Sequence, residues 1–227
     1  MQDDGADGEP LLECRGLHKH YRLRDRSIRV LEGVELSVRR GEVVVITGRT
    51  GAGKSTLLGL LGGLDRPSSG SILLEGRRVD DLGGSQWSAI RRRKVGFLFQ
   101  NVEAALLHAD VPRAQRRARA EALLAALGLA DRLEHLPAEL SVGQQQLVAI
   151  ARALANEPSL LLADEPTGDV DSDSAREIIA QLTAPVRARG AALVVATHGA
   201  FPLAEADRAF LLADGVLAPL PWGPAAS

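Results

Sequence analysis

The chain has 227 residues, of which 45% are hydrophobic and 25% charged, with a formal net charge of −2 at pH 7 and one cysteine, Cys14. A chain of this length removes roughly 70% of its surface from water on folding, so a sizeable core forms without cross-links. One thiol excludes an internal disulfide and a cysteine-rich zinc site, and the charge balance excludes a chain-wide attraction to nucleic acid or anionic lipid.

Residues 1–10 are acidic where a signal peptide would be basic, and are expected to form a disordered tail ahead of an ordered domain over 11–217. Val34, Leu36 and Val38 alternate with Glu35, Ser37 and Arg39, which predicts a half-buried strand. After Arg40 and Gly41, the run Val43-Val44-Val45-Ile46 predicts a strand buried on both faces. Further strands are expected over 95–99, 160–163, 193–196 and 209–212. Helices are expected over 54–64, 113–127, 143–154 and 174–187, the last perturbed by Pro185, which lacks a backbone donor.

Short strands alternating with helices predict an α/β fold with a mostly parallel central sheet. The Arg-, Ala- and Leu-rich stretch 91–140 predicts an inserted helical subdomain, and the Pro- and Ala-rich 218–227 a flexible tail. No run reaches the roughly 18 to 20 apolar residues of a bilayer helix, so the chain is expected in the cytosol unless something carries it to a membrane.

Gly48-Arg49-Thr50-Gly51-Ala52-Gly53-Lys54-Ser55 matches the P-loop pattern and falls between a buried strand and a helix. Glycines let consecutive N–H groups turn toward one anion, and the helix that follows adds the positive end of its dipole. Lys54 is expected to reach the β- and γ-phosphate oxygens, and the Ser55 hydroxyl to help hold Mg²⁺. A second element, Leu160-Leu161-Leu162-Ala163-Asp164-Glu165, is an apolar strand that delivers two acids at its C-terminal end, the edge where open α/β sheets bind ligands. Asp164 suits the Mg²⁺ shell, and Glu165 is placed to orient or deprotonate an attacking water.

With these motifs, the sequence resembles the nucleotide-binding subunit of an ATP-binding cassette (ABC) transporter. Leu140-Ser141-Val142-Gly143-Gln144 resembles the LSGGQ signature of that family and runs into the helix of 145–154. Gln100 matches the Q-loop glutamine, Pro166-Thr167-Gly168-Asp169-Val170-Asp171 the D-loop, and His198 the switch histidine. The phrases GRTGAGKSTLLGLLGGL and ADEPTGDVD are similar to subunits of the lipoprotein-release and macrolide-export type.

The resemblance implies a P-loop NTPase core with an N-terminal antiparallel β part, an inserted helical subdomain and a signature helix ending near residue 155. It implies ATP and Mg²⁺ bound by Gly48, Gly51, Gly53, Lys54, Ser55 and Thr56, with Tyr21 against adenine and Gln100 and Asp164 beside the metal. Ser141, Gly143, Gln144 and Asp171 are implied to face the nucleotide of a second copy, so that two subunits sandwich two ATP molecules. Glu165, His198 and Gln100 are implied to hydrolyse ATP and so drive an integral membrane permease at the inner face of the cell membrane, for lipoprotein or lipophilic and antibiotic export.

Three positions depart from the family pattern. Val142 replaces the first glycine of the signature pair, Leu147 stands where an arginine is common, and the segment after Gln100 is shorter than in relatives. The last keeps open an alternative, a degenerate nucleotide-binding or signalling module with weak turnover. A chromosome-associated ATPase would need a long coiled coil between Gln100 and Ser141, which the interval does not accommodate. The basic residues of 91–94 and 113–119 read as solvated helix faces without the interleaved aromatics of a nucleic-acid site. His18, His20, His108 and His135 show no metal-ligand spacing.

Overall fold

The computed structural model describes residues 9–23, 26–98, 113–168, 170–198 and 205–221. Two sheets organise it. Strands β1 (Leu12–Leu23), β2 (Arg26–Val38), β4 (Ser69–Leu74) and β5 (Arg77–Arg78) form an antiparallel sheet in the order β2-β1-β4-β5. A six-stranded sheet has the order β10-β9-β3-β8-β7-β6, with β3 (Val43–Thr47), β6 (Val95–Leu98), β7 (Leu160–Asp164), β8 (Ala192–Thr197), β9 (Arg208–Ala213) and β10 (Val216–Pro219). Its pairs are parallel except β9 with β10.

Strict alternation divides each central strand between two cores. Val44, Ile46, Leu160, Leu162, Val194 and Ala196 face the antiparallel sheet and helix α1 (Lys54–Leu61). Val43, Val45, Leu161, Ala163, Leu193 and Val195 face α4 (Val142–Leu154) and α5 (Ser172–Arg189), with the C-terminal part of α3 (Arg113–Ala126) packed alongside. A strand buried on both faces must be apolar at every position, which is why these runs read as continuous aliphatic stretches.

The expected strands and helices are present with shifted ends. α2 (Gly84–Lys94) was hidden in the sequence because it opens on Gly, Ser and Gln; the N–H of Gly83 donates to Oε1 of Gln86 at 2.9 Å and starts the helix. Two boundaries are corrected. Residues 91–94 end α2 and 95–98 form β6 inside the central sheet, so the helical stretch begins later than residue 91. Ala218 and Pro219 pair with Leu211 and Phe210 in β10, and the N–H of Leu220 donates to the carbonyl of Ala209 at 2.9 Å, so the flexible tail does not start at 218. β10 is an edge strand, where a proline's missing N–H costs no ladder bond.

Pro185 does not end α5, which continues to Arg189. Near the proline the Thr183 hydroxyl donates to the Ile179 carbonyl at 3.0 Å. Cys14 is buried, and burial pushes its thiol up to about 12.

Candidate active site

β3 ends at Thr47, and the chain then passes so close to β9 that a Cβ on Gly48 would fall 2.5 Å from the Leu212 carbonyl oxygen. Only glycine fits there. Gly53, at the N-terminus of α1, takes φ +101°, a left-handed conformation that favours glycine. β1 and β2 shift register between Lys19–Leu31 and His20–Arg29, leaving Val30 as the extra residue of a bulge. The bulge brings Val30 against the loop, with its Cγ1 3.0 Å from where a Gly53 Cβ would stand.

The loop, the end of β7 and the end of β8 enclose a pocket of about 460 Å³ lined by Val30, Thr50, Gly51, Gly53, Lys54, Ser55, Thr56, Glu165 and His198. Lys54 is 6% exposed, and its Nζ donates to the carbonyls of Gly48 at 2.9 Å and Arg49 at 3.3 Å and lies 3.5 Å from Glu165 Oε1. A buried ammonium held by carbonyl oxygens and a carboxylate already sits in an environment suited to phosphate oxygens.

Asp164 ends β7, buried. Burial is the main influence on its carboxyl and raises its pKa, with the neighbouring Glu165 charge acting the same way against a hydrogen bond from Ser55 and the charge of Lys54. Its Oδ1 is buried without a partner among the described residues. Among the described residues no group of three or more His, Cys, Asp and Glu side chains could hold a metal ion. One orphaned carboxylate oxygen beside a serine hydroxyl fits Mg²⁺ instead, which is bound through one or two carboxylates together with phosphate oxygens and water.

Glu165 has φ +48°, left-handed and non-glycine, held by its N–H donating to the Ala196 carbonyl at 2.8 Å and by the Gly168 N–H donating to its own carbonyl at 3.2 Å. The turn aims its side chain into the pocket, a common place for backbone strain to be stored. Oε2 accepts from the His198 N–H at 3.0 Å, and Oε1 lies 2.8 Å from His198 Nδ1. Burial pushes the Glu165 carboxyl upward, but hydrogen bonds from the His198 side chain and backbone and from Thr197 outweigh it and hold the pKa below the usual glutamate value.

Of the remaining sites expected from the sequence, Ser141, Gly143, Gln144 and Asp171 do not line this pocket, Tyr21 touches its wall, and Gln100 lies outside the described residues. Ser141 caps α4: its Oγ accepts from the Gln144 N–H at 3.2 Å, and its own N–H donates to Gln144 Oε1 at 3.0 Å. Gly143 packs against α5, where its Cβ would stand 3.0 Å from Ser174 Oγ, while Val142 points outward, 55% exposed. Asp171 caps α5, accepting from the N–H groups of Asp173 and Ser174, each at 3.0 Å, and these bonds lower its carboxyl pKa. Tyr21 is 38% exposed; its hydroxyl accepts a hydrogen bond from Thr56, a residue of the pocket wall. The sequence reading missed Val30 and Thr50 as lining residues, and Thr197 as a partner of Glu165. Only Thr50, inside the P-loop pattern, carried a local signal.

Leu147, where an arginine was expected from the family pattern, is 6% exposed in the core beneath α4.

A strand–loop–helix phosphate cradle beside two strand-end acids on a parallel sheet defines a P-loop NTPase domain. The chain belongs to the ABC transporter family, which matches residues 31–168, and carries its ATPase domain. The macrolide export ATP-binding/permease protein MacB 1/2 of Paracoccus denitrificans is 44% identical over 220 residues, 92% of this chain but 33% of that protein. This chain thus spans about a third of the macrolide-export relatives it matches. An uncharacterized ABC transporter ATP-binding protein of Thermotoga maritima is 43% identical over 217 residues, 90% of this chain and 92% of that one. The dimeric post-hydrolysis structure of the ATP-binding cassette MJ0796 bound to ADP and Pi superposes with a TM-score of 0.83 at 34% identity, covering 91% of this chain and 96% of that one.

Proposed function

We propose that this chain binds and hydrolyses ATP with Mg²⁺, as one of two closing copies, and thereby drives a membrane permease that exports macrolide-type or other lipophilic cargo, lipoproteins included. The convergence of Lys54, Ser55, Glu165 and His198 on one pocket carries the reading. Backbone N–H groups of the loop and the positive end of α1 bind the phosphates, with Lys54 turning from its carbonyl partners to phosphate oxygens. Ser55 and Asp164 would hold Mg²⁺, and the family resemblance assigns Gln100, outside the described residues, to the same role. The metal, when bound, supplies positive charge that offsets that of the phosphate oxygens.

Glu165, its pKa lowered by the hydrogen bonds from His198, accepts a hydrogen bond from the attacking water and takes its proton. His198, at the same wall, contacts the γ-phosphate. Ser141 and Asp171 stand at the exposed N-terminal tips of α4 and α5, with Gly143 and Gln144 in the first turn of α4, where the positive dipole end suits the nucleotide of a second copy. The dimeric cassette at 34% identity supports such pairing. The relatives named macrolide export ATP-binding/permease proteins support a permease partner, and a position at the inner face of the membrane is part of the same proposal. Among the described residues no helix is long and apolar enough to cross a membrane.

The test is ATP binding and Mg²⁺-dependent hydrolysis by the purified chain and by Lys54→Ala. Turnover in the first and a loss of nucleotide affinity of at least about 10-fold in the second are expected, from the loss of a charge-assisted contact. Equal binding by both proteins overturns the phosphate assignment. Binding without any turnover overturns the hydrolytic one. Pull-down of a permease encoded beside the gene, with hydrolysis stimulated by a macrolide in the assembled complex, tests the cargo.

A further inference from the structure

Lys19, Tyr21 and Asp65 form a closed unit at the rim of the pocket. The Lys19 Nζ lies 4.7 Å from the centroid of the Tyr21 ring and covers one of its faces. It is also 2.7 Å from Asp65 Oδ2 and donates to the Arg66 carbonyl at 2.7 Å. The Tyr21 hydroxyl donates to that same Oδ2 at 2.8 Å, and Asp65 Oδ1 accepts from the Arg66 N–H at 2.7 Å. Through Thr56, which donates to the Tyr21 oxygen, the unit touches the first turn of α1 and the pocket wall.

Burial differs sharply across the ring. Lys19 behind it is 8% exposed, whereas Tyr21 itself is 38% exposed. Ile28, directly opposite Tyr21 in the β1–β2 register, is 48% exposed. Directly opposed residues of an antiparallel pair share a face, so Tyr21 and Ile28 make an apolar ledge with one ring face open.

An exposed aromatic side chain normally loses rotamer freedom when a ligand stacks on it, and that loss reduces affinity. Here the ammonium behind the ring, with Asp65 and Thr56 at the hydroxyl, fixes the ring before any ligand arrives. The cation also draws ring electron density toward itself, leaving the open face better matched to an electron-rich purine. We infer that Lys19 and Asp65 are positioning residues for the nucleobase, locking Tyr21 as a one-faced platform for the base of the nucleotide whose phosphates lie beside Thr56. This rests on the proposal that the pocket binds ATP.

Two probes separate the base platform from the phosphate cradle: Mg²⁺-ATP and Mg²⁺-tripolyphosphate, which has no base. In the full chain, Lys19→Met and Asp65→Asn are each expected to weaken ATP binding about 2- to 5-fold, the scale of one cation–π contact. Tripolyphosphate binding should stay unchanged, and Lys19→Arg should restore most of the loss. Tyr21 is the sole tyrosine, so in a chain isotopically labelled at tyrosine the ring NMR signals report this ring alone. ATP should shift those signals and tripolyphosphate should not. Equal weakening of both ligands in Lys19→Met and Asp65→Asn, or of neither, overturns the inference. If the unaltered chain binds neither ligand, the proposed function falls and this inference with it.

Discussion

His198 holds Glu165 by both ends of its own residue: the backbone N–H donates to Oε2 at 3.0 Å while the ring Nδ1 lies 2.8 Å from Oε1. Burial alone would raise the Glu165 pKa, and the bonds from His198 and Thr197 reverse that. In His198→Ala the ring contact is lost and the upward push of burial is less opposed. The Glu165 pKa then rises, and its ionised, proton-accepting form disappears at a higher pH than in the parent. The acid limb of a kcat/KM profile is expected to move upward in pH, alongside a lower rate. A limb at the same pH in both proteins would contradict the coupling.

Glu165→Gln keeps the shape and one hydrogen-bond acceptor of the side chain but cannot take a proton. Hydrolysis should fall by about 10²- to 10⁴-fold, the usual contribution of a positioned general base. ATP affinity should be kept, and size-exclusion chromatography with ATP and Mg²⁺ should show a dimer. A variant that remains monomeric under those conditions argues against two copies closing on nucleotide.

Asp164 carries a cost in the empty protein. Its pKa is raised by burial, so ionising it at neutral pH opposes folding, and the penalty fades as pH falls through the raised folded value toward the unfolded one. Asp164→Asn is therefore expected to stabilise the nucleotide-free chain at pH 7 by about 0.5–2 kcal/mol, the range of a typical stability–function exchange. The gain should vanish near pH 4, and Mg²⁺-dependent ATP binding should weaken. Urea unfolding at the two pH values measures it; equal stability of the two proteins at pH 7 would sink the idea.

Leu147 tests how much the packing of α4 on the central sheet contributes to stability. The side chain is 6% exposed within the helix-side core. Truncation to alanine should cost about 2–5 kcal/mol in a denaturant titration, as for other buried leucines. A loss within 0.5 kcal/mol, the scale of surface substitutions, would show that the site tolerates the cavity.

The half of the candidate site built on the P-loop and the end of β7 was legible because its signals are local. A phosphate cradle must be contiguous, and Asp164 and Glu165 follow a strand whose burial is written in four aliphatic residues. What escaped depends on contacts between distant residues. Val30 reaches the loop only through a register shift between β1 and β2. Lys19 and Asp65 are separated by the end of β1 and by β2, β3 and α1, and nothing in either neighbourhood announces the pairing. Leu147 read as a lost charge because a sequence does not display which face of α4 meets the core. The start of α2 and the pairing of β10 were masked by glycine, alanine and proline, which packing and an edge position tolerate.

The contacts of Lys54 bear on what holds its own loop in shape. Its ammonium bonds to the carbonyls of Gly48 and Arg49 and faces Glu165. Three oxygen atoms from the turn and the neighbouring strand end thus converge on one buried cation. Taking that cation away would leave the oxygens crowded around nothing, so the lysine fastens the turn that carries it.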